Sequence, residues 1–79
     1  MEVLGGAAAF EGNVAYQDFV TENGHPISRV KAQQAFAGFI GGFVDRAIET
    51  KGFEYLHRDS VKAHAQQRVE PLLDGIYPA

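Results

Sequence analysis

The side chains of this chain best suited to chemistry are three histidines, His25, His57 and His64, two serines, Ser28 and Ser60, and a scatter of carboxylates. Ser60 has His57, Asp59 and His64 as near neighbours in sequence, the residue types of a nucleophile, its base and an orienting acid. Such a set works only when the three groups converge on one reacting atom, and residues bunched at one helix start rarely do. Ser28 is better placed as a helix N-cap. His57 and His64 are seven apart, and would share a helix face only if their helix began early, with Glu54 or Asp59 adding a carboxylate. A helical metal site more commonly uses ligands at i and i+4, so surface or capping histidines are the expectation, with no metal ligand assigned. There is no cysteine, hence no disulfide or thiolate metal site, and no glycine-rich phosphate loop following a strand. Glu11, Asp45 and Glu49 could be acids held on apolar helices, but ion pairing at helix spacing with Arg46 and Lys51 explains Asp45 and Glu49 more simply. No catalytic residue is assigned, and the chain is read as a non-enzyme.

The distinctive chemistry is apolar. Residues 35–44, Ala-Phe-Ala-Gly-Phe-Ile-Gly-Gly-Phe-Val, contain no polar side chain. At about 100° per residue, Phe36, Phe39 and Phe43 form one stripe, extended by Ile40, Val44, Ala47 and Ile48. Ala35, Gly38 and Gly42 line the neighbouring face, and Ala37 with Gly41 lies roughly opposite. A helix apolar on every side is expected to be buried on every side. Glycine inside a helix costs about 1 kcal/mol relative to alanine, and the close approach of another body would offset that cost. The spacings Ala35-x-x-Gly38-x-x-x-Gly42 and Ala37-x-x-x-Gly41 make small-residue grooves in which a helix backbone or a flat apolar molecule can sit. The Phe stripe reads as core, or as an aromatic wall for a hydrophobic ligand with tyrosine hydroxyls as polar handles. The remaining aromatics are Phe10, Tyr16, Phe19, Phe53, Tyr55 and Tyr77.

Two breaks set the elements that position these groups. Glu22-Asn23-Gly24-His25-Pro26 is turn chemistry, and Gly52 after Glu49-Thr50-Lys51 reads as a helix-ending glycine. Segment one runs from about Glu2 to Glu22, with Val3, Ala7, Phe10 and Val14 on one face and Ala8, Ala15 and Phe19 beside it. Gly5, Gly6 and Gly12 weaken it and predict a frayed or irregular first turn. Segment two starts at an N-cap Ser28, with Ile27 as hydrophobic staple, and continues to about Lys51. Segment three starts near His57 to Asp59 and runs through Val69, with a stop or kink at Pro71. Leu72, Leu73, Ile76 and Tyr77 follow as an apolar tail. The predicted fold is all-α: one helical domain over residues 1–79, with three helices and a long apolar central one completed by dimerisation into a helical bundle.

Seventy-nine residues bury too little surface for ample stability, and a small domain of this kind usually needs a staple. Without disulfides, the expected staple is a second copy of the chain, as a homodimer or higher oligomer, or an apolar small molecule. The net charge of -3 and the scattered basic residues argue against nucleic acid. No stretch approaches the roughly 20 apolar residues of a membrane span. The acidic Met1-Glu2 start does not look like a secretory signal, so a cytoplasmic location is expected.

From Ala7 onward the chain resembles the CipC-like antibiotic-response proteins, a family of small fungal proteins of unknown biochemical function. The resemblance rests on Gly6-Ala7-Ala8-Ala9-Phe10-Glu11, Tyr16, Asn23-Gly24-His25-Pro26-Ile27-Ser28, Ala37-Gly38-Phe39, Val44-Asp45-Arg46 and Glu49-Thr50-Lys51-Gly52. Asp59, Ala63-His64-Ala65 and Tyr77 fit it more loosely. Arg29 stands where the family usually has His, and His57 and Pro71 are also departures. The family's His-rich N-terminal extension has no counterpart here, so no role of those histidines is carried over. The resemblance implies a fungal, intracellular protein linked to stress or a metabolite, and supplies no catalytic residue. Some mushroom pigment proteins are likewise small chains that hold a polyene. A non-covalent polyene-like chromophore or an antibiotic-like metabolite is therefore the expected ligand class. In that reading Phe36, Phe39 and Phe43 with Gly38 and Gly42 form wall and floor. Phe10, Tyr16 and Phe19 close the site from helix one, and Arg29 or Lys31 meets an acidic ligand head. The alternative is an interaction module whose apolar helix only mates with its twin.

Overall fold

The computed structural model describes residues 2–52 and 57–78, with backbone alone at 2 and 3. Phe53, Glu54 and Tyr55, and the side chain of Val3, lie outside the described residues. Three helices follow in order: α1 (Glu2–Asn23), α2 (Arg29–Lys51) and α3 (Arg58–Ile76). Each packs on both of the others.

The helix ends obey local chemistry. Gly24 and Gly52 adopt φ values of 81° and 73°, a region closed to most side chains. Their amides close α1 and α2 on the carbonyls of Val20 (2.7 Å) and Ile48 (3.0 Å). Ser28 caps α2, its Oγ accepting from the Lys31 amide at 3.2 Å. Ile27 does not act as the staple expected from sequence: it is 90% exposed, so it turns away from Ala32, the position a staple would meet.

One spacing organises the core. On α2 the buried row is Ala32, Phe36, Ile40, Val44 and Ile48, and on α3 it is Val61, Ala65, Val69 and Leu73. On α1 Leu4, Ala8, Gly12 and Tyr16 are buried at the same four-residue step. Rows of this kind run obliquely around a helix and interlock with their counterparts on neighbours. The buried face of α1 is therefore not the predicted one: Ala7, Phe10 and Val14 face outward, with Phe10 68% and Val14 43% exposed. Small residues decide this. A Cβ on Gly12 would lie 2.7 Å from Ile40 Cγ1, and one on Gly5 would lie 2.5 Å from His64 Cδ2. The glycines that were expected to fray α1 are what let it approach α2 and α3, and the helix is continuous from Glu2.

Two further expectations are corrected. The central helix is not buried on every side: Ala37 and Gly38 are exposed, and Phe39, Gly41, Gly42 and Phe43 are half-buried. Its outer residues are largely alanine and glycine, which expose little apolar area and so cost little when wetted. Pro71 does not stop α3, which continues to Ile76. Pro71 sits on the exposed side while Val69 and Leu73 are fully buried, so the lost hydrogen bond falls toward water. Tyr77 secures the end: its amide donates to Leu73 O (2.7 Å), and its hydroxyl donates to Pro26 O in the α1–α2 turn. Of the apolar tail, Leu73 is fully buried, while Leu72 and Ile76 remain exposed.

Candidate functional site

Helices α1 and α2 run antiparallel, with Gly12 against Ile40 and Tyr16 against Phe36. On their outer side the two helices part to leave an open groove of about 300 Å³. Gly38, Gly42 and Ala15 line it with little more than backbone, and Phe39, Phe43 and Val14 stand as apolar walls. Glu11 and Asp18 rim it from α1 and Arg46 from α2. Among the described residues none of these three charges forms an ion pair. The Gly38 position is open, since a Cβ there would meet nothing within 4 Å.

Of the residues named from sequence, the fold brings Phe39, Phe43, Gly38 and Gly42 together here. Phe36 and Tyr16 lie behind the groove, fully buried and stacked on each other. Phe19 is half-buried and meets Phe39 edge-on, 6.2 Å between centroids. Phe10 lies outside the groove, on the exposed face of α1, one turn before Val14. Arg29 is remote from the groove lining. It is held by Asp74 (2.7 Å), Glu70 (3.5 Å) and the Tyr77 carbonyl (3.3 Å). Lys31 is exposed.

Sequence reasoning missed Glu11, Val14, Ala15, Asp18 and Arg46 as groove residues. A signal existed: Glu11, Val14 or Ala15, and Asp18 recur at i, i+3 or i+4, and i+7, which is one helix face.

The other polar groups weighed for chemistry lie outside the groove lining. Asp45 pairs across to α3 rather than along α2, with Arg58 at 2.9 Å and Lys62 at 3.1 Å. Hydrogen bonds from Lys62 and then Arg58 hold its carboxyl below the ordinary range. His25, His57 and Ser60 are exposed. His64 is half-buried against Gly5, its Nε2 buried without a hydrogen-bond partner. Among the described residues no three His, Asp or Glu side chains gather to hold a metal ion. No described helix is long and apolar enough to cross a membrane.

A family model described as Virulence factor CipC-like matches residues 1–75. The chain belongs to that family. The matched region takes in α1, α2 and nearly all of α3, so every residue of the groove lies within it. No curated protein and no solved structure matches the chain.

Proposed function

We propose that this member of the family is a non-enzymatic binding protein that holds a flat apolar small molecule in the α1–α2 groove, within a homodimer. A conjugated, polyene-like pigment or an antibiotic-like metabolite is the ligand class that fits. The carrying observation is Gly38. It gives up about 1 kcal/mol of helix propensity, yet among the described residues nothing beyond its own helix backbone comes within 4 Å of a Cβ built there; Gly75 is equally open, but Gly38 is the one that lines the groove. Gly12 and Gly5 have such a reason in Ile40 and His64; Gly38 has only open space, beside the half-buried rings of Phe39 and Phe43. A flat molecule laid on the Gly38–Gly42 backbone would use that space and cover both rings. The reading places the protein in the cytosol, where a helical core without disulfides needs no oxidising surroundings.

The rim charges favour a second reading, an interaction module in which the same face mates with a twin and holds no ligand. Purification from the native source separates the two. A visible absorption band, or a native mass above that of the bare chains, is expected. A colourless assembly of bare-chain mass would sink the ligand reading and leave the module.

A further inference from the structure

A groove open along one side shields only part of a ligand, whereas small-molecule sites commonly bury most of theirs. Resting on the binding reading above, we infer that the missing side is a second copy of this chain, related by a two-fold axis running along the α1–α2 groove. Such an axis lays α1 of each copy over α2 of the other and keeps every residue at its own height along the groove.

The charges fit this operator. Glu11 and Arg46 stand at the same end of the groove on opposite rims: the register of Gly12 on Ile40 sets them five residues, roughly 7.5 Å, apart along the axis, within the combined reach of the two side chains, and both also line an adjoining hollow of about 430 Å³ beside Phe43, Ala47 and Thr50. Neither is paired among the described residues. The two-fold sets Arg46 of each copy opposite Glu11 of the other, giving two equivalent ion pairs, as an isologous interface requires. Phe10, 68% exposed and next to Glu11 in sequence, comes over the adjoining hollow of the second copy. Val14 of each copy comes over Gly38 and Gly42 of the other. The two grooves, about 300 Å³ each, then face one another across the axis. The binding site is thus shared, and each copy contributes one wall of it.

Sedimentation equilibrium on the purified chain tests this, with helicity checked for each variant by circular dichroism. The wild type is expected to be a dimer. Arg46→Glu, on an exposed side chain, should weaken association about tenfold or more by placing like charges face to face. Arg46→Glu combined with Glu11→Arg should restore it to within about threefold, because the pair is re-formed with its signs exchanged. Val30→Glu, at an apolar site 60% exposed elsewhere on the surface, should leave it unchanged. A wild-type monomer at all concentrations, a dimer indifferent to Arg46→Glu, a double variant that stays dissociated, or a dimer broken by Val30→Glu would each overturn the arrangement. Titration with 1-anilinonaphthalene-8-sulfonate reports on the binding reading separately. Gly38→Leu should abolish dye uptake by filling the groove. A charge-dependent dimer that takes up no dye, and is colourless from its native source, would support the shared interface while removing the ligand.

Discussion

Tyr16 lies on Phe36 with ring centroids 4.1 Å apart and planes inclined by 16°, while its hydroxyl is buried with no hydrogen-bond partner. The ring is held by stacking and burial, and the oxygen is a liability. An unsatisfied buried hydroxyl costs about 1–3 kcal/mol, whereas the stacked ring survives removal of that oxygen. Tyr16→Phe is therefore expected to leave stability unchanged or raise it by about 1 kcal/mol in urea unfolding. A clear loss would mean that the neighbouring Tyr77 hydroxyl serves it as a hydrogen-bond partner in solution.

The same hydroxyl sets an alkaline limit. Burial first, and the neighbouring Tyr77 phenol second, push it from 10.0 up to about 12. Between those values the unfolded phenol ionises and the folded one does not, so stability is full below pH 10 and falls as the pH rises toward 12. Ultraviolet titration should show one of the three tyrosines ionising late, and Tyr16→Phe should remove that late phase.

Two glycine-to-alanine changes should move stability in opposite directions. At Gly38 the new methyl meets open space, so the variant should gain about 0.5–1 kcal/mol from helix propensity. At Gly12 it would lie 2.7 Å from Cγ1 of the fully buried Ile40. Overpacking of this kind costs about 1–3 kcal/mol, enough to outweigh the propensity gain. Thermal melts of the two variants against wild type check the contrast.

Asp45 supplies an acid-side dependence. Its carboxyl is held below the ordinary carboxylate range by Lys62 and Arg58, so it adds stability above its unfolded pKa and loses it as pH falls through the lower folded one. Asp45→Asn should therefore be less stable than wild type at neutral pH, with the gap closing in acid. Because the group is partly exposed, added salt should narrow the gap as well.

Arg29 is engaged by the fold, away from the groove lining. Its guanidinium ties the start of α2 to Asp74 and Glu70 near the end of α3. Arg29→Met is expected to lower stability by up to about 1 kcal/mol, the usual scale for partly exposed pairs, and to leave dye binding at the groove unaltered. A selective loss of binding without a loss of stability would return Arg29 to the site.

The helices and their ends were legible because caps and turns are local: Ser28, Gly24 and Gly52 declare themselves by type and position. The face of α1 was not legible. Apolar residues surround that helix, and the choice between Phe10 and Gly12 as the inward side depends on Ile40, far away in sequence. Large side chains attract attention as core, yet here the small ones face inward because they permit contact. Pro71 was misread for a related reason: its cost depends on whether the bond it forfeits faces water. The groove was half legible. Gly38, Phe39, Gly42 and Phe43 share one helix and could be grouped by spacing, as could Arg46 one turn beyond Gly42, whereas Glu11, Val14, Ala15 and Asp18 join them only through the register of α1 on α2.

The clasp at Tyr77 couples two segments that are remote in sequence. Tyr77 grips Pro26 and the last turn of α3, and Arg29 grips Asp74 and the Tyr77 carbonyl. Beyond Pro71, which donates no amide hydrogen bond, these links stand in for part of the helix ladder. The final turn of α3 and the Gly24–Ser28 connection should consequently open as one cooperative unit, their amides exchanging hydrogen at a common rate well ahead of those around Ile40 and Val69. Cutting the Tyr77 hydroxyl away with Tyr77→Phe should speed exchange at both places together, including in the connection some fifty positions away along the chain.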